Sequence, residues 1–103
     1  MLAEDFRRLV LNLPGTIERE HNGHPDFRVG GRIFATLGYP DANWAMVKLR
    51  SEQQEALTSA EPAIFAPAKG AWGKRGSTLL RLECVDEPTA RGAVEMAWSN
   101  VQG

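Results

Sequence analysis

Basic side chains and one tryptophan share a glycine-rich segment that contains no acidic residue. Residues 62–82 lack Asp and Glu, and Trp72 lies between two lysines on a glycine-flanked stretch. The basic residues of this segment are Lys69, Lys74, Arg75 and Arg81. Phosphate binding requires several Lys or Arg side chains aligned on one surface. The segment is therefore a candidate basic loop for nucleic acid.

A second basic group lies on an earlier pair of strands and on the strand that follows them. It consists of Arg28, Arg32, Lys48 and Arg50, and the region includes only Asp26 and Asp41 as acids. Two basic hairpin regions could form two projecting wings, and we expect their cations to converge at least in part. The predicted nucleic-acid site is Arg28, Arg32, Lys48, Lys69, Trp72, Lys74 and Arg75.

The alternative is that these charges are solvated and bind nothing. Basic residues at sheet edges also prevent edge-to-edge aggregation, and Trp72 could fold back onto the core, as tryptophans usually do. The sequence leaves both interpretations open.

Imidazoles and carboxylates cluster near the start of the predicted sheet, which raises the question of a divalent metal. On a regular strand, however, Glu18 and Glu20 point away from His21, and the spacing matches no established ligand motif. The other members of the cluster are His24 and Asp26. We predict no metal site, and we predict that His21 and His24 bond to the backbone of the Asn22-Gly23 turn.

A catalytic role has little support in the sequence. Cys84 with His21 or His24 is the only nucleophile pair, and a lone cysteine without a family signature is more often a buried small apolar residue. Residues 70–76 are rich in glycine but lack the lysine-serine pair that opens a helix in a P-loop. We predict a protein that is not an enzyme and has no cofactor.

Length and composition set the broad class. The 103 residues make one domain, 1–103, with 43% hydrophobic and 24% charged residues and a net charge of -1, so overall charge does not indicate a nucleic-acid partner. The single cysteine excludes an intrachain disulfide, and the opening MLAEDFRR lacks the apolar stretch of a signal peptide. We expect a cytoplasmic monomer without a membrane span.

The hydrophobic pattern predicts helices at both ends of a set of hairpin-connected strands. The opening helix spans residues 2–13 and stops at Pro14-Gly15, strands follow at 16–21, 26–37, 44–49 and 77–82, and the last helix opens at 86–88. Between them, Ser51 begins a short helix with Gln54 in a capping box, and Glu61-Pro62 ends it. This order predicts an α+β fold, an antiparallel sheet with helices covering one face.

The strand segment 26–37 contains Gly30-Gly31, which supplies the positive φ angles of a two-residue hairpin turn. A regular turn pairs Val29 with Arg32, Arg28 with Ile33, and Phe27 with Phe34. That register leaves apolar groups on both faces, so the turn could instead be bulged and the register shifted.

Taken together, the motifs resemble the MmcQ/YjbR family of small bacterial proteins, whose fold is related to frataxin and its bacterial counterpart CyaY. The resemblance rests on Leu13-Pro14-Gly15, His24, Phe27-Arg28-Val29, Arg32-Ile33-Phe34-Ala35, Val47-Lys48-Leu49, the loop with Pro67, and Ala97-Trp98. It covers nearly the whole chain. It implies the same α+β fold and a DNA-binding function through a pair of β-hairpin wings.

A protein-interaction module is the competing hypothesis. In it, the exposed sheet face with Trp44, Met46 and, as a third candidate, Phe34 docks a protein partner or a small ligand. A contiguous apolar patch of several hundred Å² would favour this hypothesis over nucleic acid, whose sites are polar and basic.

Overall fold

Six antiparallel strands form one sheet in the order β1-β2-β3-β4-β6-β5. The computed structural model describes residues 1–102. Its elements are α1 (Ala3–Leu11), β1 (Ile17–His21), β2 (His24–Val29), β3 (Arg32–Leu37), β4 (Trp44–Lys48), α2 (Ser51–Ala60), β5 (Phe65–Pro67), α3 (Gly70–Lys74), β6 (Ser77–Arg81) and α4 (Glu87–Gln102). Within residues 1–102, no helix combines the length and apolar character needed to cross a bilayer.

The helices lie on one face of this sheet. Helices α1 and α4 contact β3, and α4 also contacts β2 and β4. Helix α2 lies beside α4, where Asn100 Nδ2 donates to Gln53 Oε1 at 2.8 Å. The core between helices and sheet includes Phe6, Val10, Phe27, Val47, Leu80 and Val94, all fully buried. The predicted α+β class, with the terminal helices on one face of an antiparallel sheet, is confirmed.

The β2–β3 hairpin is bulged. Phe27 pairs with Ala35 rather than with Phe34, while the pairing of Val29 with Arg32 is as predicted. Phe34 is the additional residue, and it is fully buried. The regular register was therefore wrong for Phe27, and the bulged alternative is correct, because an additional residue lets Phe34 and Ala35 both lie against the core.

The two cations of this hairpin lie on opposite sides of the sheet. Phe27 is buried on the helix side, so Arg28, the next residue of β2, and its partner Ile33 lie on the face away from the helices. Arg32 lies on the helix-covered side, where its Nη1 approaches the Val101 carbonyl oxygen of α4 at 3.5 Å.

Helix α2 is capped differently from the prediction. Gln53, not Gln54, accepts a hydrogen bond from the Arg50 backbone N–H at 2.9 Å. Gln54 Nε2 instead donates to the carbonyl oxygens of Gly73 and Ser77 and to Thr78 Oγ1, at 3.0, 3.1 and 3.0 Å. Thr78 is fully buried, and polar groups left unbonded in the interior are costly. Gln54 therefore fastens α2 to the start of β6.

Two further elements were not predicted. Residues 62–76, expected as a loop, contain the short strand β5 and the one-turn helix α3. Strand β5 pairs with β6 through Phe65 opposite Leu80, and Phe65 is 2% exposed. Its three-residue length is too short for a periodic signal in the sequence.

Helix α4 begins at an aspartate whose carboxylate caps it. Asp86 Oδ1 accepts a hydrogen bond from the Thr89 backbone N–H at 2.9 Å. The side-chain and backbone hydrogen bonds from Thr89 lower the pKa of Asp86 below its ordinary value. The ionised form is thus favoured in the folded state, as expected at a helix N-terminus.

We expect Asp86→Asn to remove a pH-dependent contribution to stability while keeping a capping side chain. Because the folded-state pKa is lowered, the contribution is complete above the unfolded pKa of about 3.9 and is lost as pH falls through the folded value. Urea unfolding should show wild type more stable than the variant at about pH 7 and the two similar at about pH 2. The matched control is Glu95→Gln on the same helix. A difference that persists unchanged in acid would contradict this cause.

Candidate nucleic-acid interface

Strand direction brings both basic segments to one end of the sheet. The β2–β3 turn, the end of β4 and the start of β6 meet there, since Lys48 pairs with Ser77 and the Leu49 N–H donates to the Gly76 carbonyl at 2.9 Å. We call this the basic end. Its cations are Arg28, Arg32, Lys48, Arg50, Lys69, Lys74 and Arg75. Strands β2 and β6 are three positions apart, which corresponds to about 14 Å.

Acidic residues gather at the opposite end. The connections after β3, α2 and β6 and the start of α4 carry Asp41, Glu61, Glu83, Asp86 and Glu87. The basic end has Glu52, in the first turn of α2, and Glu18, whose Oε1 accepts from Arg7 Nε at 2.6 Å. A chain with a net charge of -1 is therefore electrostatically polarised along its strands.

The predicted site residues differ in exposure. Arg32, Lys69, Lys74 and Arg75 are exposed, whereas Arg28 and Lys48 are half-buried. Trp72 is 61% exposed, so the alternative in which it folds back onto the core is wrong. The exposed ring lies between two lysines on a defined turn.

The turn that carries Trp72 is held by close backbone approaches. The Arg75 N–H donates to the Ala71 carbonyl at 3.0 Å, and Gln54 binds the Gly73 carbonyl. A Cβ at Gly73 would lie 1.8 Å from the Ala68 carbonyl oxygen. Only glycine permits this contact, so Gly73 fixes the shape of the basic turn.

A carboxylate orients Arg28. Arg28 Nε and Nη2 donate to Asp26 Oδ1 and Oδ2 at 2.8 and 3.1 Å, and Asp26 is 1% exposed. The hydrogen bond that Arg28 donates to Asp26 raises the pKa of Arg28 above its ordinary value. The sequence suggested that Asp26 opposes the basic group. In the structure it orients Arg28 instead. The sequence signal for this contact was the i, i+2 spacing of the two residues, which places both on one face of a strand.

The histidine and carboxylate cluster does not assemble. The register with β2 places Glu18 and Glu20 on one face of β1 and His21 on the other. In residues 1–102 no group of three or more His, Cys, Asp or Glu side chains is arranged to hold a metal ion. The ring of His21 lies 3.3 Å from Asn22 Nδ2, and His24 meets Tyr39 edge-on with ring centroids 6.0 Å apart. These are side-chain contacts, rather than the predicted bonds to the turn backbone.

The cysteine differs from the prediction. Cys84 is exposed rather than buried, and it follows β6 in a turn whose backbone N–H at Cys84 donates to the Arg81 carbonyl at 3.1 Å. The short turn between β6 and α4 buries Val85 instead.

The apolar patch of the competing hypothesis is weaker than expected. Trp44 and Met46 are half-buried, and the Arg81 guanidinium lies 4.3 Å from the centroid of the Trp44 ring. Phe34, its third proposed member, is fully buried. Among residues 1–102, the exposed large apolar side chains are Leu2, Ile17, Tyr39 and Trp72, which lie far apart in the sequence.

Comparisons with known proteins agree with this architecture. The family model described as YjbR matches residues 11–100. The crystal structure of the Deinococcus radiodurans protein DR2400, described by its DUF419 domain, superimposes with a TM-score of 0.72 at 20% sequence identity. The alignment covers 97% of this chain and 75% of that one. No curated protein matches the sequence. The predicted relation to frataxin stays a prediction.

We expect alanine at Gly73 and at Gly92 to have opposite effects on stability. Gly73→Ala forces a backbone shift in the basic turn, and overpacking of this kind typically costs about 1–3 kcal/mol. Gly92 lies within α4 with nothing within 4 Å of an added Cβ, so Gly92→Ala should stabilise by roughly 0.5–1 kcal/mol. Urea denaturation followed by circular dichroism measures both. A Gly73→Ala protein as stable as wild type would show that the turn is not held as described.

Proposed function

We propose that this chain, which belongs to the YjbR family, is a non-enzymatic module that binds nucleic acid through the basic end of its sheet. The resemblance of its motifs to the MmcQ/YjbR family predicted this membership. This proposal depends on one observation: seven cations, from segments far apart in sequence, lie at the end of the sheet that also carries the exposed Trp72. In this proposal the β2–β3 hairpin and the α3 turn act as the two wings.

The physical case rests on charge placement. Phosphate contacts release condensed counterions, so a group of Lys and Arg side chains gives binding that weakens steeply with salt. In residues 1–102 no carboxylate lies within 4.0 Å of the charged groups of Lys48, Lys69, Lys74 or Arg75. Their charge is therefore available to phosphates.

A protein- or small-ligand-interaction module that uses Trp44 and Met46 is the second candidate. It is supported by the absence, within residues 1–102, of a helix on that side of β4. The half-burial of both side chains and the guanidinium over Trp44 reduce the apolar area that it offers, so nucleic acid remains the first proposal.

We further propose that the protein acts as a cytoplasmic monomer without a cofactor. The exposed thiol of Cys84 supports a reducing compartment, because exposed free cysteines are readily oxidised elsewhere. Size-exclusion chromatography with light scattering would measure the oligomeric state.

The test is fluorescence anisotropy of a labelled random-sequence duplex and a labelled single strand, titrated with protein at low and at physiological salt. We expect Lys74→Gln/Arg75→Gln to weaken binding and, if both side chains contact duplex phosphates, to reduce the slope of log K against log salt by about 1.8.

The matched control is Arg8→Gln/Arg91→Gln, which removes the same charge from α1 and α4, where these side chains are 69% and 55% exposed. It should bind as wild type does. Absence of binding at low salt would overturn the proposal and favour the protein-interaction module. An equal loss in both variants would show attraction to net charge alone.

A further inference from the structure

The side of the sheet away from the helices has a composition of its own. A row of paired residues crosses all six strands: Arg19 lies opposite Asp26, then Thr36, Met46, Leu79 and Ala66 follow. Paired residues share one face. The neighbouring row, from Glu18 through Phe27 and Val47 to Thr78, lies against the helices. We call the side that carries Arg19, Asp26, Arg28, Trp44, Met46, Lys48, Leu79 and Arg81 the open face.

Strand alternation sorts the charges between the two sides. In β1, Glu18 and Glu20 lie on the helix side, whereas Arg19 and His21 lie on the open face. Among the paired strand residues described, Asp26 is the carboxylate of the open face, and it is 1% exposed and bonded to Arg28. The accessible charge of the open face is therefore basic.

Three cations of the open face have no ionic partner. Within residues 1–102, no carboxylate lies within 4.0 Å of the charged groups of Arg19, Lys48 or Arg81. They lie on β1, β4 and β6, so they span most of the width of the sheet. Such a spread suits a ligand with negative charges repeated along its length.

Planar groups lie among these cations. The guanidinium carbon of Arg81 lies over the Trp44 ring, 4.3 Å from its centroid, so a planar cation and an aromatic ring meet on the open face. Tyr39, 51% exposed, lies in the connection between β3 and β4 and meets the ring of His24 at the start of β2. Bases stack on aromatic rings and on guanidinium planes only when they are released from pairing.

We propose that the open face binds single-stranded nucleic acid, with phosphates held by Arg19, Lys48 and Arg81 and a base stacked on the Arg81–Trp44 pair. This inference rests on the proposed function and adds the strand type. Arg28 and Lys48 belong both to the basic end and to the open face, so a strand held at the basic end continues onto the sheet.

The test compares Arg19→Gln/Arg81→Gln with wild type, using a labelled oligothymidylate of about 15 nucleotides and a duplex of the same length. Arg28 is left unchanged because its loss would leave Asp26 buried without a partner. We expect wild type to bind the single strand more tightly than the duplex. The variant should lose about tenfold in single-strand affinity and about 1.4 in its salt slope.

Arg8→Gln/Arg91→Gln again removes two charges from the opposite side and should bind as wild type does. A preference for duplex, or single-strand affinity unchanged in Arg19→Gln/Arg81→Gln, would overturn this inference. If Lys74→Gln/Arg75→Gln still weakened binding in that case, nucleic-acid binding at the basic end would be supported without the open-face inference. If wild type bound neither the single strand nor the duplex, the proposed function and the open-face inference would both be contradicted.

A second measurement does not depend on how the variants fold. Wild-type protein is cross-linked by ultraviolet light to an oligonucleotide carrying 5-bromodeoxyuridine, and the linked peptides are identified by mass spectrometry. We expect attachment at Trp44 or Tyr39. Attachment confined to Trp72 would restrict binding to the basic end and overturn the open-face inference.

Discussion

The additional residue at Phe34 is the constraint on which the arrangement of this sheet depends. Because the alternation of side chains in a strand has a period of two, one inserted residue exchanges the faces of everything beyond it. Here it buries both Phe34 and Ala35 and places Ala35 and Leu37 on the helix side, opposite Val47 and Ala45 of β4. A regular hairpin would bury Phe34 but turn Ala35 and Leu37 to the open face, so the core packing of β3 against the helices depends on the bulge.

Much of the fold could be predicted because its signals are local. The apolar spacing of α1 and α4, the Pro14-Gly15 stop and the Gly30-Gly31 turn each depend on a few neighbouring residues. The missed features depend on distant partners. Strand β5 exists through its pairing with β6, and Gln54 leaves the predicted cap because buried acceptors on β6 require a donor.

The candidate site could be predicted in composition but not in geometry. The acid-free segment 62–82 and the cations of the β2–β3 hairpin are visible in the sequence, whereas their meeting at one end follows from strand order. The roles of Asp26 and Arg81 were not visible either. In the sequence, an aspartate two residues from an arginine suggests only a neutralising neighbour. The contact between Arg81 and Trp44 cannot be seen in the sequence, because it forms only when β4 pairs with β6.

Burial of Asp26 on the open face does more to orient Arg28 than to stabilise the fold. Removing a carboxylate from water is costly, and a buried ion pair often stabilises no more than apolar residues of similar size. The pair does, however, fix the guanidinium of Arg28 through two hydrogen bonds and leaves its remaining N–H groups unbonded within the described residues. An arginine oriented in this way presents N–H groups in a fixed direction, which suits the oxygens of anionic groups such as phosphate, and Arg28 lies where the basic end meets the open face.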